Sequence, residues 1–278
     1  MCIVAIAWQL FEEMPLVLLS NRDEFFARPT QALHQWPDQP VYAGRDEKSG
    51  GSWLGIQQTS DGQQNGRWAA VLNFRDGVQA DPEQRSRGDL VTEYLTGDLS
   101  PMAYARQLDL QAYAGFNLIV GDRQQAVLVN NRGYPPTPLF AGLHVLSNGQ
   151  PDSDWYKCER LRGRVRQEVL PLIAENSERS YWQEAAYDVL SDRIKATDEQ
   201  LPHTGMPMAI EQMLSPVYIE NGSFKDFGLM GSYGTRSQSI LTMTTQASPA
   251  EASESSTYQY QAAVTLQLSS RDKEPVGQ

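Results

Sequence analysis

A cysteine stands at position 2, directly before the apolar run from Ile3 to Leu10. In plain terms Cys2 is a small apolar residue that caps a strand. Read for chemistry, removal of Met1 would leave a thiol and a free α-amine on one residue. That amine has an ordinary pKa of about 7.7–8 and acts as a general base near neutral pH. The thiol beside it titrates near about 8.5 and is lowered by nearby cations, so the residue carries its own base. Polar residues at strand ends supply the partners such a nucleophile needs. "LVLLSNRDEF" runs from apolar residues into Asn21, Arg22, Asp23 and Glu24, "AAVLNF" holds Asn73, "HVLSNGQP" ends a strand at Asn148, and "YGTRSQSIL" sets Arg236 just ahead of one. Arg22 would stabilise the thiolate and Asp23 would hold the ammonium. Amide groups of Asn73 or Asn148 would stabilise a tetrahedral oxyanion, worth about 2.7–4 kcal/mol per donor. Asn21, Glu24 and Trp53 flank this set as substrate contacts. Each asparagine also has a structural reading, because a buried unbonded amide costs about 1–3 kcal/mol and asparagine is a common turn former.

The elements that must position these residues follow from periodicity. "CIVAIAW", "LVLLSN", "SWLGI", "RWAAVLNF", "FNLIVGD" and "QAVLVNN" have the β-branched and aromatic bias of strands. "SRGDLVTEYLTG" spaces Leu90, Val91, Tyr94 and Leu95 as a helix, and Ser100–Pro101 open a second. "SDWYKCERLRGRVRQEVLPLI" carries an apolar stripe at 155, 158, 161, 165 and 169, capped by Ser153 or Asp154, and "YWQEAAYDVLSDRI" is another helix. Strands return with "SQSILTMTT" and "YQYQAAVTLQL", separated by a polar segment near 246–257 that is expected to be a mobile loop, and the C-terminal tail is expected to fray. Strands at both ends with helices grouped between them predict an α+β layered domain spanning 1–278.

Composition narrows the function classes. A net charge of −11 disfavours nucleic acid and anionic membrane as partners. Two cysteines, Cys2 and Cys158, are too few for a disulfide framework and fit a reducing cytoplasm. No stretch has the roughly 20 apolar residues of a membrane span. His34, His144 and His203 are far apart in sequence and lack metal-ligand spacing, so no metal site is expected.

"MCI", "NRDEF", "RP" at 28–29, "GGSWLGI", "LNFR", "GFNLI", "NNRG", "VLSN", "LP" at 201–202 and "YGTRSQSIL" occur in this order. Together they resemble the NRDE family, also called the transport and Golgi organisation protein 2 family, from residue 1 to about residue 243. That family looks distantly similar to the choloylglycine hydrolase and penicillin V acylase group, N-terminal nucleophile amidohydrolases with a four-layer αββα sandwich. The resemblance implies that fold, with Cys2 as nucleophile and Arg22 beside it. It further implies Asn73 and Asn148 as oxyanion and positioning residues, and Arg236 as a second arginine of the site. Those hydrolases place an aspartate three residues after the first arginine. Here Phe25 holds that place, and the carboxylate role falls to Asp23 or Glu24. The activity implied is hydrolysis of a linear, non-peptide amide, with no cofactor required. Two other readings stand beside it: a haem-binding or haem-trafficking protein without turnover, and a structural or interaction protein that keeps the fold without chemistry. The oligomeric state is left open.

Overall fold

The computed structural model describes residues 2–78, 81–151, 153–223, 231–246 and 263–273. The chain begins with six strands, β1 (Cys2–Trp8), β2 (Leu16–Phe25), β3 (Thr30–Gln35), β4 (Val41–Asp46), β5 (Leu54–Gln57) and β6 (Trp68–Asn73). Helices α1 (Arg87–Thr96) and α2 (Pro101–Gln107) follow, then β7 (Phe116–Gly121), β8 (Ala126–Asn130), β9 (Thr137–Pro138) and β10 (Gly142–Leu146). The second helical group is α3 (Tyr156–Arg164), α4 (Leu170–Ala174), α5 (Arg179–Leu190) and α6 (Met208–Met213). Strands β11 (Gly222–Ser223), β12 (Ser232–Gln246) and β13 (Ala263–Asp272) complete the described elements.

The strands form two antiparallel sheets. One has the order β10-β1-β2-β12-β11 with β13 paired to β12, and the other runs β3 through β9 in chain order. Strand side chains alternate between faces, and β1 shows what this does with seven buried residues in a row. Cys2, Val4, Ile6 and Trp8 enter the core between the sheets, where they meet Leu54, Trp68, Leu72 and Ile119 of the second sheet. Ile3, Ala5 and Ala7 point the other way, against Cys158, Leu161, Trp182 and Leu190 of the α3–α5 group. On the outer face of the second sheet, Ala69, Leu118 and Val129 pack on Leu90, Tyr94 and Tyr104 of α1 and α2. The layer order is therefore helix, sheet, sheet, helix: a four-layer αββα sandwich of the α+β class.

Local details depart from the sequence reading. The N-cap of α3 is Trp155, with no side-chain cap, rather than Ser153 or Asp154. The stripe's change from three-residue to four-residue spacing coincides with a π-helical turn over Val165–Val169. Arg236 does not precede a strand but lies within β12. Gln246 is the last residue of β12; the rest of the loop expected at 246–257, and the tail beyond 273, lie outside the described residues.

Candidate active site

Cys2 is the first residue of β1 and lies directly opposite Arg22 on β2. It forms part of the floor of a cleft of ≈ 560 Å³ at the end of the sandwich. Alternation along β2 sorts the "NRDE" residues. Ser20, Arg22 and Glu24 share the parity of Leu16 and Leu18, which face the second sheet. Asn21 and Asp23 share that of Val17 and Leu19, which face the helices. Arg22 is buried and stacks on the Trp53 ring at 4.2 Å, an arrangement that holds a guanidinium without a carboxylate clamp. From there a ladder of charge runs along the cleft. Arg22 Nη2 lies 3.7 Å from Glu24 Oε2, Arg28 Nε lies 3.8 Å from the same oxygen, and Arg28 Nε reaches Asp46 Oδ2 at 2.7 Å.

Asp23 is held rigidly. Its Oδ1 accepts from Thr235 Oγ1 at 2.7 Å, and its carbonyl accepts from Tyr233 Oη at 2.9 Å. Burial pushes the Cys2 thiol above its ordinary pKa, and Arg22 and the Asp23 backbone only partly oppose this. The thiol therefore stays protonated at neutral pH and needs a base to become nucleophilic. Carboxamidomethylation of Cys2 by iodoacetamide is accordingly expected to be slower at pH 7 than that of a free cysteine peptide. Its rate should still be rising above pH 9, as followed by peptide mass spectrometry.

The wall facing Cys2 is the start of α1. Ser86 caps it by accepting from the Gly88 N–H at 3.2 Å. Gly51 of "GGSW" packs directly on that turn, and a Cβ added at Gly51 would come within 2.5 Å of the Gly88 carbonyl carbon. The paired glycines let the β4–β5 connection and a helix terminus touch backbone to backbone.

The structure brings Cys2, Arg22, Asp23, Glu24, Trp53 and Asn73 to one cleft. The Asn73 amide has no hydrogen-bond partner among the described residues. Three expected residues are placed elsewhere. Asn21 points to the helical layer, where Nδ2 donates to the carbonyls of Leu190 and Val217, each at 2.8 Å. It ties β2 to the helices and does not line the cleft. Asn148 is buried one layer behind: Nδ2 donates to the Asn73 carbonyl at 2.8 Å, and Oδ1 accepts from Ser147 Oγ at 3.0 Å. Arg236 lines an adjoining chamber of ≈ 160 Å³ that shares Arg22 and Trp53 as its wall. It is the extra residue of a β-bulge, since Thr235 pairs with Asp23 and Ser237 with Arg22, and its Nη1 hydrogen-bonds the Arg28 carbonyl.

Other polar groups at the site are absent from the sequence reading. Arg87, in the first turn of α1, lines the cleft and donates to the Gly115 carbonyl at 3.1 Å. Burial lowers its pKa, and it shares the cleft lining with Cys2. Behind Cys2 lie Lys157, wholly buried, and the buried ion pair Arg75 Nη2–Glu211 Oε2 at 2.9 Å. Among the described residues no group of His, Cys, Asp and Glu is placed to hold a metal ion, and no helix is long and apolar enough to cross a membrane.

The family model described as Transport and Golgi organisation 2 matches residues 1–259. The chain belongs to that family. A Homo sapiens Transport and Golgi organization protein 2 homolog is 36% identical over 154 residues, 51% of this chain and 53% of the relative. The chain thus spans about half the length of that curated relative. A Mus musculus homolog is 28% identical over 239 residues, 81% of each chain. Among solved structures, an N-acylethanolamine-hydrolyzing acid amidase ortholog from Caenorhabditis elegans matches with a TM-score of 0.41 and 12% identity, over 68% of this chain and 86% of that one. The layer order of this member of the Transport and Golgi organisation 2 family rests on its own strand pairing and core packing.

Proposed function

We propose that this protein is an N-terminal cysteine amidohydrolase that cleaves a linear, non-peptide amide. One observation carries the reading. The residue that becomes N-terminal on loss of Met1 is the first residue of a core strand, in the floor of a polar cleft, with Arg22, Asp23 and Asn73 around it. In the mature protein the α-amine of Cys2 takes the thiol proton as sulfur attacks the amide carbonyl. The carbonyl π electrons move onto oxygen, where the Asn73 amide donates to the oxyanion. Collapse breaks the C–N bond, the leaving amine takes the proton from the α-ammonium, and water then hydrolyses the thioester to the acid and the free thiol. Asn148 acts indirectly, by fixing the Asn73 carbonyl. Both cysteines are free thiols, which fits a reducing compartment such as the cytoplasm.

Haem carriage has less support. Among the described residues lining the cleft are five cations (Arg22, Arg28, Lys48, Arg85, Arg87), four carboxylates (Asp23, Glu24, Asp46, Asp81) and no histidine. Cys2 could supply the axial ligand, but a porphyrin disc also needs apolar walls, and this charged lining does not offer them.

The test combines intact mass with a chromogenic amide. Purified protein is expected to lack Met1, to release nitroaniline from a short-chain acyl para-nitroanilide, and to carry one acyl group on Cys2 when quenched in acid. Complete retention of Met1 in active material sinks the mechanism. A saturable Soret shift with haemin that disappears in Cys2→Ala, with no amide turnover, would favour the carrier instead.

A further inference from the structure

The chamber beside the cleft takes no part in the amide cleavage itself. It has ≈ 160 Å³ against the cleft's ≈ 560 Å³, and the two share Arg22 and Trp53 as a common wall. Its making can be followed along β12. Leu241 and Met243 enter the core between the sheets, and alternation turns Ser239 and Ser237 the same way. Thr235, on the other side of the bulge, instead reaches Asp23 on the helical face. The extra residue of the bulge lets Arg236 and Ser237, consecutive in sequence, line one chamber. The Lys273 N–H, just past β13, donates to the Arg236 carbonyl at 2.7 Å and latches the bulge in place.

Two features of the lining point to an anion. The first is unanswered charge: Arg22, Arg236 and Lys273 meet there against one carboxylate, Asp272. The Arg22 guanidinium makes no hydrogen bond among the described residues, and Glu24 Oε2 lies 3.7 Å from it. Arg236 uses Nη1 on the Arg28 carbonyl and on Thr30 Oγ1, while its Nε and Nη2 have no partner among the described residues. Lys273 Nζ donates to the Glu220 carbonyl at 2.9 Å, and Asp272 Oδ1 accepts from Ser270 Oγ at 2.9 Å rather than from a cation. The second is an orphan. Ser237 is only 4% exposed, and its Oγ has no hydrogen-bond partner. A buried hydroxyl left unbonded destabilises the empty protein and is satisfied by an acceptor entering the chamber.

We propose that this chamber is a carboxylate subsite of the active site, and that the substrate is a small amide whose far end carries a carboxylate on a short chain. The unused Nε–Nη2 edge of Arg236 is a planar two-donor fork of the kind that matches a carboxylate. Ser237 Oγ adds a third donor, and Arg22 in the common wall is reached from both spaces. The volume admits a carboxylate on a few carbons and no ring system, and exposed Asp272 at the rim disfavours a dianion such as phosphate. The identity of the substrate rests on the hydrolase reading. The anion site does not.

Binding is read without turnover, in the full-length Cys2→Ala chain, as the rise in melting temperature with glutarate over sodium chloride at matched ionic strength. A rise of roughly 2–4 °C is expected at about ten times Kd. It should be absent in Cys2→Ala/Arg236→Gln and retained in Cys2→Ala/Arg85→Gln, whose lost charge lines the cleft and not the chamber. Adding Ser237→Ala should leave the unliganded protein as stable or more so, because an orphan hydroxyl is removed, while weakening glutarate about tenfold. A rise that survives Arg236→Gln but not Arg85→Gln puts the anion in the cleft and overturns the subsite. An equal rise with inorganic phosphate overturns the carboxylate assignment. If Arg236→Gln does not fold, Ser237→Ala decides, and an undiminished glutarate effect there sinks the proposal. With Cys2 present, glutaryl para-nitroanilide should exceed pentanoyl para-nitroanilide, which has a methyl in place of the carboxylate, by about tenfold or more in kcat/KM. Equal turnover of the two overturns the substrate assignment. No turnover of either, with the glutarate effect intact, sinks the hydrolase reading alone.

Discussion

Cys2→Ala is expected to eliminate amide turnover, with a loss on the order of 10⁶ in kcat, the scale seen when an enzyme's covalent nucleophile is deleted. The acyl adduct should vanish with it. Stability should hardly move. The substitution removes one sulfur from the rim of the inter-sheet core, where Val4, Ile6 and Trp8 continue the packing, and costs about 1 kcal/mol or less. Parallel melting curves and nitroaniline assays of wild type and Cys2→Ala make the check. Undiminished turnover in a well-folded Cys2→Ala protein would mean that the cleft works without this thiol, and the nucleophile assignment would have to be abandoned.

The largest stability effect is expected behind the site. Arg75→Met deletes a cation that is paired with Glu211 at 2.9 Å, with both side chains almost wholly buried, and that also stacks on Trp155 at 4.4 Å. Glu211 would be left charged in the interior. Breaking a buried pair from one side costs about 3–5 kcal/mol, whereas replacing both partners with apolar residues is often neutral. Arg75→Met should therefore lower the melting temperature by on the order of 10 °C, and Arg75→Met/Glu211→Leu should recover most of that. The Arg75 backbone N–H also donates to the Asn148 carbonyl at 2.6 Å, so the single variant should slow turnover as well, through the Asn148–Asn73 link. If the double variant melts as low as the single, the cost lies in lost packing and not in the stranded carboxylate.

The layered fold and much of the site could be read from the sequence. The strands and helices that carry it are long, apolar and periodic, so β1, β6, β7, α1 and α5 stand out. Strands β3 and β4 are missing from that reading because "TQALHQ" and "VYAGRD" alternate weakly, the first rich in polar residues and the second ending in a charged pair. Adjacency in sequence groups Asn21 with Arg22. Once β2 is known to continue to Phe25, simple alternation sends them to opposite faces. The bulge at Arg236 leaves no mark in composition. Lys157, Arg75 and Glu211 come from three distant parts of the chain, and a lone charged residue in a helix reads as solvated. The one available sign for Lys157 was its place beside Cys158 at the head of an apolar stripe.

The contact between Gly51 and Gly88 bears on how this cleft can adapt. Where two backbones meet with nothing between them, the gap they set cannot be retuned by exchanging one side chain for another. That wall behaves as a fixed jaw. Any change in what the cleft accepts must come from side chains, such as the Arg22–Glu24–Arg28–Asp46 ladder, which can exchange partners by rotating while the backbone stays put. A family built on this frame would diversify its ligands through charge and keep its aperture constant. Libraries aimed at new substrates are thus better spent on Glu24, Arg28 and Asp46 than on the glycines that hold the jaw.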